Sequence, residues 1–260
     1  MNTIHGFGDS YTEGHPDNLY FEPFEIWRQY RGGTLPKCWL EILGEKLSMN
    51  IINHGVGGNS NDQIFDDFSI HSHEINKGDI VIINWTYKHR FRWPVEHDHK
   101  TDENGEPLWT WRRLSAYNYN PDDFKFITKE TKDEIVINKT RPNYIEEIYN
   151  RENLIESYAK AKRFEVYFWS TDTDIIYGLP INKFKGVKKY ILNDTINPGQ
   201  HKIANGNGGD FINMIIEQGG STILNETNDH VPDDTHLGEI GHKIQSELFY
   251  DYIIKNRNNE

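Results

Sequence analysis

Two short stretches near opposite ends of the chain hold residue types that could do covalent chemistry. The first is HGFGDSYTEGH, residues 5–15, in which Ser10 follows Gly8 and Asp9 directly. The second is PDDTHLGEIGHK, residues 232–243, in which Asp233 stands three positions before His236. A serine hydroxyl becomes a nucleophile only when a base takes its proton and a third group orients that base. Asp233 and His236 have the spacing for a carboxylate to curl back onto an imidazole within one turn. In that arrangement Asp233 fixes the tautomer, and His236 offers its other ring nitrogen to Ser10. The expected catalytic set is therefore Ser10, Asp233 and His236, and the chemistry is acyl transfer. It requires the two ends of the polypeptide to meet.

The intervening sequence predicts a scaffold that brings them together. TIHGF (3–7) reads as a short strand running into a glycine turn, with Ser10 just past its end. PKCWLEILGEKLS (36–48) has helical spacing, MNIINHG (49–55) is a second strand, and Ser60 is placed to cap a helix over 60–75. GDIVIINW (78–85) is a continuous β-branched run, as in a strand buried on both faces of a parallel sheet. Residues 88–142 lose any clean period and are rich in aromatics; they read as an insertion, with a short hairpin at 133–138. A helix over 143–164, a strand over 165–171, a further strand at 184–192, a short helix at 209–220 and a terminal amphipathic helix over 236–254 follow, and KNRNNE reads as a frayed tail. Strands alternating with helices predict α/β architecture with a doubly wound parallel sheet. The 260 residues form one domain with the insertion inside it. In such a sheet, function gathers where strands end at their carboxyl edge, which is where Ser10 falls.

The residues themselves resemble a family. G-D-S near the start, a glycine after the second strand, and D-x-x-H-x-x-x-x-G before the last helix are similar to the SGNH (GDSL-type) hydrolases. GDSYTEG (8–14) matches the first block, and DDTHLGEIGH (233–242) the last, with Gly241 five residues after the histidine. The resemblance implies a three-layer α/β/α, flavodoxin-like fold and esterase chemistry. It implies Ser10 as nucleophile, His236 as base and Asp233 as its orienter. It also implies backbone N–H groups of Ser10 and Gly58 as the oxyanion hole, with no cofactor. One block departs: the family's third strand ends in G-x-N-D, whose Asn is a further oxyanion donor, and here the stretch is INWTYKHRFRW (83–93). Asn84, Thr86, Lys88 and Arg90 are the candidates to replace it. Losing one oxyanion donor costs about 10²–10³ in rate, so the substitution matters.

Either end motif alone has an ordinary structural reading. A serine or aspartate before a helix is usually its N-cap, and His242 in the final helix reads as a surface or packing residue. GVGG (55–58) is a poor dinucleotide loop, because Ser60 stands where the third glycine belongs. EHDHK (96–100) and the set His230, Asp234 and His236 could be read as metal ligands, but no cysteine pair or H-E-x-x-H supports that, and no metal is expected. A net charge of −12 provides no basic footprint for nucleic acid. No run reaches the ~18 apolar residues of a membrane span, and no signal peptide is visible, which makes the cytoplasm the expected location. The single cysteine, Cys38, rules out an intrachain disulfide. The aromatic stretch 91–126 could form a wall of the site, and aromatic faces stack on sugar rings. Asp9, Arg90 and Trp93 are accordingly expected at the substrate, with an O-acetylated carbohydrate or other small ester as partner. The alternatives are a lapsed carbohydrate-binding module on the same scaffold, or a metal-dependent hydrolase.

Overall fold

The computed structural model describes residues 1–14, 37–87, 90–101, 107–115, 142–170, 172, 219 and 237–259. Four strands form a parallel sheet: β1 (Thr3–Gly8), β2 (Asn50–Gly55), β3 (Ile80–Trp85) and β6 (Glu165–Ser170), in the order β2-β1-β3-β6. The helices are α1 (Ser10–Glu13), α2 (Trp39–Leu47), α3 (Asn61–His71), α4 (Pro142–Lys162) and α5 (Glu239–Asn259). A separate antiparallel ribbon joins β4 (Arg90–Thr101) and β5 (Pro107–Ser115).

Side-chain alternation along the strands divides the core in two. Ile4, Ile80, Ile82, Tyr167 and Trp169 face one side, where they meet Trp39, Leu40 and Leu43 of α2 and Phe249 and Ile253 of α5. Phe7, Val81, Ile83, Trp85, Val166 and Phe168 face the other, against Ile64 and Phe68 of α3 and Tyr144, Ile148 and Ile155 of α4. All six residues of β3 are buried, as its unbroken apolar run predicts for a central parallel strand. The result is a three-layer α/β/α domain with a doubly wound sheet.

The strand order fixes where a ligand crevice belongs. The chain passes from β1 outward to β2, then returns to place β3 on the other side of β1. That reversal is a topological switch point, and crevices open beyond the carboxyl ends of the two strands that flank it. Those ends carry Asp9 and Ser10 after β1, and Thr86 and Tyr87 after β3.

Local signals explain most boundaries. Ser60 caps α3 with a reciprocal bond pair to Gln63, and Glu41 does the same for the start of α2 through the Cys38 N–H. Two expectations need correction. Residues 255–259 are helical rather than a frayed tail, because α5 runs on to Asn259 and Arg257 pairs with Glu165 at the start of β6. Residues 90–115 hold a long ribbon where no period was legible. Its register shifts between Glu96 and Thr101, and Pro94 interrupts one strand, so no run of strict alternation survives in the letters. The hairpin at 133–138, the strand at 184–192 and the helix at 209–220 lie outside the described residues.

Candidate active site

The turn after β1 is built by glycine and by one carboxylate. A Cβ on Gly8 would sit 2.1 Å from Thr12 Oγ1 and 2.8 Å from Asn84 Cβ, so only glycine lets α1 fold back onto the strand end. Asp9 is extended (φ −98°, ψ −155°) and is the N-cap of α1: its Oδ1 accepts from the Tyr11 N–H at 3.1 Å. Capping therefore falls to Asp9, and the Ser10 hydroxyl is left out of it. Ser10 is fully buried, and its Oγ has no hydrogen-bond partner among the described residues. A buried hydroxyl normally finds a partner, so an empty one at a strand's carboxyl end is a place for chemistry.

The backbone around it is directed. The Asp9 carbonyl accepts from the N–H groups of Thr12 and Glu13, both at 2.9 Å. Because a trans peptide is planar with C=O and N–H opposed, the Ser10 N–H points the other way, out of the turn, and among the described residues it meets no acceptor. The turn after β2 stands alongside. Gly55 is paired with Gly8 in the sheet, and a Cβ on Gly55 would strike the Glu13 nitrogen at 2.4 Å. The Gly57 N–H donates to Glu13 Oε2 at 2.7 Å, and the Asn53 side chain donates to the carbonyls of Thr12 (2.9 Å) and Glu13 (3.3 Å). Gly58 then takes a left-handed φ of 74°, a conformation that suits glycine. Its N–H is also without an acceptor among the described residues. Two backbone N–H groups without a described acceptor thus lie on the turns that follow the neighbouring strands β1 and β2.

The carboxylate of Asp9 is the most heavily bonded group here. Besides Tyr11 it accepts from Asn84 Nδ2 at 2.8 Å, Thr86 Oγ1 at 2.5 Å and Arg90 Nη1 at 2.8 Å. It is completely buried. These bonds bear on several expected roles. Asp9 and Arg90, both expected at the substrate, pair with each other. The Thr86 hydroxyl hydrogen and one Asn84 amide hydrogen go to Asp9 rather than to an oxyanion. Trp93 lies in β4 opposite Arg112. Asp233, His236 and Lys88 lie outside the described residues; Leu237 is buried in the same core cluster as Tyr11.

Sequence reasoning missed the groups that hold this arrangement. Asn61, fully buried at the start of α3, clamps Thr86 on both sides: its Oδ1 accepts from the Thr86 N–H at 2.7 Å and its Nδ2 donates to the Thr86 carbonyl at 2.9 Å. Asn59 donates to Asp67 at 2.9 Å and to the Gly8 carbonyl at 3.4 Å. Burial, with the neighbouring Tyr11 after it, pushes the Tyr87 phenol well above the ordinary range. Cys38, buried against Gly14, has its thiol pushed up to about 11 by desolvation, which keeps it protonated and inert. His242 is buried, so of its two expected placements packing is the one found.

No family model matches the chain, and no curated protein matches it. Solved structures do. A member of the lipolytic G-D-S-L family from Veillonella parvula aligns at 13% identity and TM-score 0.44, covering 96% of this chain and 97% of that one. A lipolytic protein of the same family from Desulfitobacterium hafniense aligns at 12% identity and TM-score 0.39, covering 97% and 99%. A variant of an acetyl xylan esterase from Geobacillus stearothermophilus aligns at 15% identity and TM-score 0.37, covering 97% and 94%.

Proposed function

We propose that this chain is a serine esterase of the SGNH (GDSL) type that hydrolyses an ester of a small acyl group, such as an O-acetyl ester of a carbohydrate. The observation that carries the reading is the turn after β1. Its serine hydroxyl is buried and unpartnered among the described residues, capping is done by the preceding aspartate, and the N–H groups of Ser10 and of Gly58 on the adjoining turn have no acceptor among the described residues. Such donors are what a tetrahedral intermediate requires.

The mechanism follows from those roles. Ser10 Oγ attacks the ester carbonyl carbon while its proton passes to His236. The carbonyl π pair moves onto oxygen, where the N–H groups of Ser10 and Gly58 hold the charge. The intermediate collapses by breaking the bond to the alcohol, which leaves with the proton from His236. Water then attacks the acyl-enzyme, giving its proton to His236, and Ser10 departs with that proton while the carboxylic acid is released. Asp233 holds the imidazole and stabilises its cation. Support for His236 reaching Ser10 comes from Leu237, its immediate neighbour, which is packed in the cluster that also contains Tyr11.

Turnover of p-nitrophenyl acetate by wild type and Ser10→Ala tests the reading, with expected loss of at least about 10³-fold in kcat. Equal rates in the two proteins overturn it. A second reading, a lapsed carbohydrate-binding module, is favoured by one observation: the Thr86 hydroxyl and the Asn84 amide are engaged by Asp9. It calls for ligand affinity with neither turnover nor labelling of Ser10 by a fluorophosphonate. Activity abolished by EDTA would instead favour a metal-dependent hydrolase.

A further inference from the structure

We infer that Arg90 is a positioning residue for the nucleophile turn: by pairing with Asp9 and placing its cation over the Tyr87 ring, it braces the residues beside Ser10 and so aims the Ser10 N–H. The inference rests on the esterase reading above and assigns to Arg90 a job distinct from touching substrate.

Ser10 is flanked by Asp9 and Tyr11, and Arg90 acts on both. Its Nη1 lies 2.8 Å from Asp9 Oδ2, with the arginine side chain 16% exposed and the aspartate fully buried. Among the four described donors to that carboxylate, Arg90 is the charged one. Charge-assisted bonds of this kind are roughly twice as strong as neutral ones. The guanidinium carbon also lies 5.3 Å from the centroid of the Tyr87 ring, and the Tyr87 phenol neighbours that of Tyr11. A further tie, from the Arg90 N–H to the Tyr87 carbonyl at 3.0 Å, fixes the short turn that carries both side chains.

The direction of the Ser10 N–H depends on these contacts. It belongs to the peptide whose carbonyl end is Asp9, and a planar peptide turns as a unit. Rotation of Asp9 rotates the oxyanion donor. Without Arg90, the buried carboxylate loses its charged partner and keeps three neutral donors among the described residues, a state that favours its movement toward water. Displacement of about 1 Å in a catalytic constellation costs about 10²-fold in rate. Arg90 is also the first residue of β4, so its side chain ties the start of the ribbon to the nucleophile turn. The stretch that departs from the family's third block thus contributes through the turn's geometry.

The experiment measures kcat and KM on p-nitrophenyl acetate, and the rate of Ser10 labelling by a fluorophosphonate, for wild type, Arg90→Ala and Arg90→Lys. Each is repeated with added guanidinium ion. Arg90→Ala is expected to lose about 10–10²-fold in both kcat and labelling rate, with KM within about threefold, and added guanidinium is expected to restore several-fold of the loss. Arg90→Lys keeps the charge but not the planar guanidinium that reaches both Asp9 and the Tyr87 ring, and is expected to fall about threefold to tenfold. If Arg90→Ala does not fold, the lysine variant decides. Labelling and kcat at wild-type values in the folded variants overturn the inference, as does a loss confined to KM, which would make Arg90 a substrate contact. A wild-type chain that neither labels nor turns over sinks the esterase reading and this inference together. A wild-type chain that labels, with variants that label equally well, sinks this inference alone.

Discussion

Ser10 is useful only because its neighbours take over the ordinary tasks of a strand-to-helix turn. Asp9 caps, Gly8 permits the close approach, and the hydroxyl between cap and helix is left without a partner among the described residues. Gly8 is the position with least tolerance. A methyl group there would overlap Thr12 Oγ1 and crowd Asn84, a residue that donates to Asp9. Gly8→Ala is expected to cost about 1–3 kcal/mol in stability, in the range for overpacking. Because the strain falls on the turn itself, activity should drop more than the lost stability alone implies. Chemical denaturation and kcat measured on the same preparation check both halves; a variant as stable and active as wild type would show that the turn relaxes freely. Ser10 was legible as a candidate because its motif is contiguous. The Asp9–Arg90 pair was not, since 81 positions separate its members and no local pattern announces a bond made across a sheet.

At the scale of elements, the sheet strands and most helices are legible because their burial is one-sided or complete. The period then follows from geometry: α2 shows 3.6-residue spacing, β3 an unbroken apolar run. The β4–β5 ribbon follows no such rule, and its shifted register removed the remaining signal. The last helix matters to the site in a different way. It begins two residues beyond Leu237, which is buried in the core cluster on one face of the sheet. Phe249 is its main anchor: fully buried, it meets Trp39 edge-on at a centroid distance of 4.8 Å and Trp169 at 5.4 Å. Phe249→Ala is expected to destabilise the fold by about 3–5 kcal/mol, with part of that from the lost aromatic pairs. Thermal unfolding gives the magnitude. Phe249→Leu, which keeps most of the volume, should recover more than half of it; if it does not, the aromatic geometry outweighs the volume filled.

At the scale of the whole molecule, acid is the condition that should discriminate most sharply between charge balance and local burial. A chain with net charge −12 gains positive charge as its twelve histidines titrate, and relief of net repulsion would favour the fold on mild acidification. Against this stands a stack between β1, β2 and α3. His54 lies flat on Phe7 at 4.3 Å, 5.6 Å from His5 and 4.5 Å from His71. Burial, followed by the neighbouring His71 and His5, pushes His54 down to about 4. His5 is also lowered, by burial, despite Asp79 at 3.5 Å. A histidine held below its unfolded value binds its proton more readily in the unfolded chain. His54 therefore has no effect on stability above about pH 6.5, and destabilises progressively as pH falls from there to about 4, where its penalty is complete. The His54 term is local and little screened, whereas net-charge repulsion is spread over the surface and reduced by salt. Stability is thus expected to fall between pH 6.5 and pH 4 at 0.15 M salt, and His54→Asn should be less sensitive over that window even if it is less stable at pH 7.5. Denaturant midpoints for both proteins at several pH values test this. Parallel curves would place the acid sensitivity elsewhere, and a wild type that gains stability on acidification would show that relief of repulsion outweighs the stack.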